Sequence, residues 1–207
     1  MDNTSHLTSP VLSRFLSATR GVAHLRSRSL WIDRAVLVVA GVGLMSAMAQ
    51  ISLPLPGSPV PITGQTLGAL LIGGTLGYQV GVTSYLAYLA LGILGAPVFA
   101  GATFGWAKIA GATGGYLVGM LIATAILGFG VKRGWDKKLT TWLPTIALGE
   151  VAIFTLGVTW LHYSTSQSFA WSISKGFTPF VLGEVIKIGI ATTSMPYLWK
   201  LVNKNAR

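Results

Sequence analysis

Two residues of opposite charge stand three apart in a stretch that is otherwise apolar: Glu184 and Lys187, within the run KGFTPFVLGEVIKIGI at 175–190. Placing charge in a hydrophobic segment is costly, so such residues are rarely present without a use. A separation of three puts both head groups on one face of a helix. One head group only accepts hydrogen bonds and the other only donates them. Together they suit a small polar ligand that carries both kinds of group. A structural bridge between helices is the other reading of the same pair. Glu150, the other acid in a long apolar stretch, has no obvious local partner, and structural and functional readings of it stand equal.

The segments that must hold this pair are those of a membrane protein. The chain has 207 residues, of which 52% are hydrophobic and only 10% charged, against roughly 25% charged in a soluble domain. It has no cysteine, which excludes a disulfide framework and thiol chemistry. The net charge of +10 is gathered into short tracts between apolar segments, a pattern that reads as membrane topology and not as a nucleic-acid surface. Residues 1–29 differ from the rest, with Arg14, Arg20, Arg26, Arg28, many serines and one acid, Asp2. They are expected to form a cytoplasmic leader, amphipathic on the membrane surface or disordered; an organelle transit peptide is the alternative.

The remainder, 30–207, is expected to be an all-α, six-helix membrane domain. The six apolar segments fall at about 35–53, 64–76, 80–94, 115–131, 139–161 and 177–202. The second and third are short and glycine-rich, and Pro196 is expected to bend or fray the last turns of the sixth. With the N-terminus inside, Arg14, Arg20, Arg26, Arg28, Arg34, Lys132, Arg133, Lys137, Lys138, Lys200, Lys204 and Arg207 are all cytoplasmic, twelve of the fifteen basic residues. Only Lys108 and Lys175 fall in external loops, so both termini are placed in the cytoplasm of a plasma-membrane protein. The external links are irregular. That at 54–63 carries Pro54, Pro56, Pro59 and Pro61, which forbid a regular helix. That at 96–106 runs APVFAGATFGW. Non-helical backbone near membrane depth is tolerated only where protein buries it or where it lines a cavity. These loops are therefore expected to roof a pocket open to the outside, with Glu184 and Lys187 beneath.

At this point the sequence resembles a known family. AQISLPLP at 49–56 followed by SPVPITGQTL at 58–67, YLALGILGAPVFAG at 88–101, GATGGYLVG at 111–119 and KGFTPFVLGEVIK at 175–187 are similar, in order and spacing, to four signatures of the BioY family. That family comprises biotin-binding S components of energy-coupling-factor transporters. The chain departs from the pattern at Gly64, where leucine is usual, at Ala112, where proline is usual, and at Glu184, where the acid is usually aspartate. The resemblance implies a six-helix protein that captures biotin from outside. It also implies assembly with a transmembrane T component and two ATPase subunits, although some members are proposed to work without a dedicated module.

Biotin offers a ureido ring, an apolar thioether ring and a carboxylate tail. Glu184 and Lys187 supply the acceptor and donor a urea needs, and neither charge is then buried alone. In this assignment Lys108 is the candidate for the carboxylate; the opposite assignment puts the carboxylate on Lys187, and a solvated loop lysine is the plain reading of Lys108. Gln65 reaches the pocket or makes an interhelical hydrogen bond. Gly101, Gly114 and Gly115 permit close approach of backbone to a flat ring, or serve turns and packing. Tyr116 and Trp106 are wall candidates, or members of an interfacial aromatic belt. His162 reads as a solvated interfacial residue.

Gly43 and Ala47 form a small-residue pair on the first helix, where the family contacts its T component, although internal packing explains such a pair equally. No cofactor is expected: biotin is cargo, and ATP belongs to the partners, since the chain lacks a phosphate-binding loop. Self-association, contact with the lipid bilayer and the absence of nucleic acid complete the expected partners. An S component for a different small metabolite is the competing function. An intramembrane enzyme is disfavoured, because the chain lacks the metal-ligating motif HExxH, and His6, His24 and His162 offer no buried partner for a nucleophilic serine.

Overall fold

The computed structural model of the chain describes residues 28–205, with side chains described over 31–199 apart from 196. Nearly all of the expected leader, and Arg207 of the basic tail, lie outside these bounds. Apolar sequence with no water to satisfy its backbone folds as helix. The long helices are α1 (Arg28–Gln50), α2 (Gln65–Ile93), α4 (Gly114–Lys132), α5 (Leu139–Thr165) and α7 (Val181–Asn205). Two short helices, α3 (Trp106–Ala110) and α6 (Phe169–Gly176), lie in the connections at one end. Short 3-10 turns occupy Trp135–Lys137 and Thr178–Phe180. The protein is an all-α integral membrane protein, and α1, α2, α4 and α5 are long and apolar enough, among the described residues, to cross a bilayer.

α2 is not one straight rod. Gly77 has φ +73° and ψ −175°, a conformation open to glycine because it lacks a Cβ. The chain reverses there. A Cβ on Gly81 would lie 2.9 Å from the carbonyl oxygen of Ile72; in a continuous helix those residues would stand more than a dozen ångströms apart at about 1.5 Å per residue. The amide of Gln65 likewise meets the hydroxyl of Tyr88 at the far end of the element. α2 is therefore a hairpin of two helical limbs, at 65–76 and 78–93. These limbs are the second and third apolar segments expected from sequence.

α4 is the most enclosed helix and packs on both α2 and α5. Its small residues set the separation: a Cβ on Gly119 would fall 2.6 Å from Cα of Ile153 on α5. Such contact lets helices associate in lipid through packing alone. α1 lies at the periphery against α2, with Val36, Val39, Gly43 and Ala47 facing outward. α7 continues through Pro196 as helix to Asn205, and the expected sixth segment begins instead as the 3-10 turn preceding Val181.

Two groups of buried side chains fill the bundle. One, at the end bearing the loops, includes Tyr85, Tyr88, Phe99, Tyr116, Phe154 and Phe180. The other, at the opposite end, is built on Trp142, Leu70, Leu127 and Met195. The connection 51–64 is pinned as a two-residue antiparallel ladder, β1 (Ser52–Leu53) with β2 (Ile62–Thr63). The second connection is tied to α1, because the Gln50 amide donates to the carbonyl of Phe99 at 3.2 Å and accepts from Ala102 N–H at 3.0 Å.

Candidate functional site

Glu184 and Lys187 do form an i, i+3 pair, with Lys187 Nζ 2.7 Å from Glu184 Oε1. The pair is buried, the side chains being 7% and 13% exposed respectively, so its energetics belong to a low-dielectric interior and not to the surface. Lys187 Nζ also donates to the carbonyl of Thr63 at 2.6 Å and to Thr66 Oγ1 at 2.8 Å. An ammonium has three donors, and all three are used. The Thr66 hydroxyl in turn donates to the carboxylate, 2.9 Å from Oε2. Thr66 lies in the first turn of α2 and Glu184 in the first turn of α7. The first turns of α2 and α7 thus meet at one carboxylate.

Above the pair is a pocket with Glu184 in its wall. Val60 and Pro61 enter it from the proline-rich connection, and Phe99 and Ala100 from the second connection. α4 contributes Tyr116, Leu117 and Met120, with Thr113 from its N-cap, Phe154 from α5 and Phe180 from the 3-10 turn. Gln65, Thr63, Thr66 and Lys108 complete the polar part of the lining. The aromatic side is ordered by mutual packing: Tyr116 lies over Phe180 with centroids 6.5 Å apart and planes at 25°, and Phe99 meets Tyr88 edge-on at 5.4 Å. The Tyr116 hydroxyl is satisfied by donating to Gly176 O at 2.7 Å.

The structure brings Glu184, Gln65, Tyr116 and Lys108 to one cavity. Lys187 stands behind Glu184 and is not itself a lining residue. Gln65 lines the cavity and also makes the interhelical hydrogen bond, donating to Tyr88 Oη at 2.8 Å. Other expected residues fall elsewhere. Trp106 is 64% exposed at the start of α3 and does not line the cavity. Gly101 has φ +70°, a turn role, while its neighbour Ala100 is the one in the wall. Gly114 and Gly115 begin α4 and serve packing: a Cβ on Gly115 would meet Trp160 and the carbonyl of Leu156, and one on Gly114 the carbonyl of Ile109. His162 sits at the far end of α5 with its ring nitrogen on the carbonyl of Gln167. Glu150 is buried, and neither of its oxygens has a hydrogen-bond partner among the described residues.

Thr63, Thr66, Phe99 and Phe180 were not singled out by sequence reasoning. Thr66 adjoins Gln65 in the same first-turn motif, and that adjacency was the available signal. Among the described residues no cluster of His, Cys, Asp or Glu could hold a metal ion.

An all-α membrane bundle whose loops and helix N-termini enclose one polar-and-aromatic pocket is a small-molecule-binding membrane component. The chain belongs to the BioY family, whose sequence model matches residues 18–204. No curated protein matches the chain. Among solved structures it is similar to the S-component for biotin from an ECF-type ABC transporter, with 26% sequence identity and a TM-score of 0.77 over 84% of this chain and 94% of that one.

Proposed function

We propose that the protein is the biotin-binding subunit of a membrane vitamin-uptake transporter, with the pocket between Glu184 and Lys108 as its binding site. Family membership and the likeness to a biotin S-component support the ligand. The observation that carries the site is the joint presence, in one aromatic-walled cavity, of a buried carboxylate at one place and a lysine at another. A cyclic urea presents two N–H donors, which a carboxylate accepts. A carboxylate tail requires a cation, which Lys108 offers. The thioether ring between them suits Tyr116, Phe154 and Phe180. Lys187 then acts through Glu184, fixing its charge and orientation. Family membership makes this a substrate-binding transport component and not an enzyme.

The distribution of Lys and Arg supports an orientation in which the loop-bearing end faces outside and both termini lie in the cytoplasm of the plasma membrane. The two limbs of α2 support six passes: α1, each limb, α4, α5 and α7. The outward placement of Gly43 and Ala47 on α1 leaves a small-residue surface for a T component, whose ATPase partners would supply the energy, or for a second copy of this chain.

The test is equilibrium binding of labelled biotin to purified protein. Lys187→Ala should weaken binding by at least tenfold, about 1.4 kcal/mol. Unchanged affinity in a folded variant rejects this site. A thermal-shift panel of vitamins addresses the competing ligand: stabilisation by another vitamin, with no response to biotin, transfers the function to that compound.

A further inference from the structure

Gln50 is a polar side chain that stands outside the pocket yet grips part of its wall. The connection 96–106 supplies Phe99 and Ala100 to the cavity. Its ends are fastened to the second limb of α2, where Ala96 N–H donates to Leu91 O at 3.0 Å and Gly105 N–H to Gly92 O at 2.7 Å. Between these points the segment 97–103 folds on itself, with Phe99 N–H donating to Thr103 O at 3.1 Å and Thr103 Oγ1 to Ala100 O at 2.9 Å. Among the described residues, every hydrogen bond from this segment to another element ends on Gln50, the last residue of α1. Its Nε2 donates to Phe99 O at 3.2 Å and to Val98 O at 3.4 Å, and its Oε1 accepts from Ala102 N–H at 3.0 Å. A contact of Nε2 with Ser46 O at 3.2 Å holds the side chain along its own helix.

The turn that Gln50 grips is strained. Gly101 and Ala102 both have left-handed backbone, with φ +70° and +54°. Glycine adopts this conformation freely, whereas a residue with a Cβ does so at a cost and stays there only where its surroundings hold it. The Gln50 carboxamide oxygen on Ala102 N–H is such a hold. Phe99 has a second anchor, since it is only 2% exposed and packs on Tyr88 and against Gly92. Ala100 has only a methyl group, so its place in the wall depends on the backbone to either side, and the bonds of Gln50 fall on both sides of it. We propose that Gln50 is a positioning residue for ligand retention: it staples 98–102 to the end of α1, keeps Ala100 in the cavity wall, and slows the escape of ligand past that wall. Gln50 does not itself line the cavity, so it acts through the backbone of the connection. The effect on ligand rests on the pocket assignment above, whereas the stapling does not.

Two measurements on the full-length protein test the two halves. Gln50→Met keeps the length of the side chain and removes both its donor and its acceptor. Amide hydrogen exchange of the empty variant should be faster across 98–103, with the Ala102 N–H most affected, and unchanged at 62–64 in the other connection. Unchanged exchange at 98–103 overturns the staple, and equal acceleration in both connections shows general loosening and overturns it as well. Dissociation of labelled biotin should be about fivefold faster from Gln50→Met, as befits the loss of neutral hydrogen bonds, with the association rate within about twofold of wild type. An unchanged dissociation rate, or a change confined to association, overturns the role in retention. Gln50→Glu keeps the acceptor for Ala102 and loses the donor to the two carbonyls, so it should speed dissociation too; it decides the matter if the methionine variant does not fold. Absence of biotin binding in wild type rejects the pocket assignment and the retention role with it, while the exchange result still decides the staple.

Discussion

Among the described residues, the Thr66 hydroxyl is the one neutral group hydrogen-bonded to both charges of the buried pair. It accepts from Lys187 Nζ at 2.8 Å and donates to Glu184 Oε2 at 2.9 Å. Thr66→Val keeps the shape and β-branching and removes both bonds. A hydrogen bond to a charged group contributes about 1.5–3 kcal/mol. Lys187 retains two of its three partners, so the loss falls at the lower end, about 3 kcal/mol for both bonds together. Part of this lowers the stability of the empty protein. The rest appears as lost affinity, because the Glu184 carboxylate no longer has its second oxygen fixed toward the α2 N-terminus. If half is expressed in binding, the affinity for biotin falls about tenfold, or 1.4 kcal/mol. The assay is equilibrium binding of labelled biotin beside thermal denaturation in detergent, with Thr66→Ser as the control. Serine retains the hydroxyl, so it should bind within about threefold of wild type, under 1 kcal/mol. Binding by Thr66→Val within twofold of wild type would refute the reasoning, as would a serine variant that is as impaired as the valine one.

Two further perturbations probe the surroundings. Gly92→Ala places a Cβ inside the ring of Phe99, a residue only 2% exposed. Glycine to alanine within a helix ordinarily stabilises by roughly 0.5–1 kcal/mol, whereas overpacking costs about 1–3 kcal/mol. A lowered melting temperature with weaker biotin binding is therefore expected, and a raised melting temperature would contradict the Phe99 placement. Asp136, in the turn between α4 and α5, is fully buried, with Oδ2 accepting from Trp199 Nε1 at 2.6 Å. Burial pushes its carboxyl above the usual carboxylate range, opposed in part by the Trp199 bond and by Lys137. The folded protein then holds this proton over a range where the unfolded chain, titrating near about 3.9, has lost it. Stability from this group is accordingly highest below the unfolded value and declines as pH rises through the folded one. Asp136→Asn should flatten that decline in thermal melts taken across the acid range, and an identical pH profile in the two proteins would count against the burial.

The legible parts of the molecule were those set by local pattern. Glu184 and Lys187 at i, i+3 had to share a helix face, and the prolines at 54, 56, 59 and 61 had to interrupt helix. The break between the second and third apolar segments was also visible, because glycines and the short run 77–79 separate them, and Gly77 proved to be the hinge. What lay beyond reach depended on tertiary contact. Nothing local says that Lys187 will hold the carbonyl of Thr63, more than a hundred residues earlier. Tyr116 and Trp106 looked alike as aromatic residues beside glycine-rich turns, yet one is 6% and the other 64% exposed. The difference is positional: Tyr116 begins α4 facing Gly157 and Phe180, while Trp106 opens a five-residue helix with no buried residue. At Gly114 and Gly115 the groups that approach closely come from the protein itself, the carbonyl of Ile109 and the side chain of Trp160 respectively.

The position of Lys187 ties three things that sequence treats separately. Its bond to Thr63 ends at β2, the strand that closes the proline-rich connection. That connection is fastened a second time where Ser58 Oγ donates to Lys175 O at 2.9 Å, on the helix leading into α7. Val60 and Pro61, which line the pocket, lie between these two attachments. One ammonium thus holds the carboxylate that faces the cavity and, through a backbone carbonyl, one end of the segment that covers it. A backbone carbonyl cannot be altered by substitution at Thr63, so this attachment persists whatever side chain the strand carries. On the proposed assignment, a ligand that competes for Glu184 would change the field at Lys187, and the strand and the pocket wall would respond through the same atom. For that reason the acid–amine pair joins the cavity wall to the connection that covers it, and a single substitution at Lys187 is expected to perturb binding and connection together.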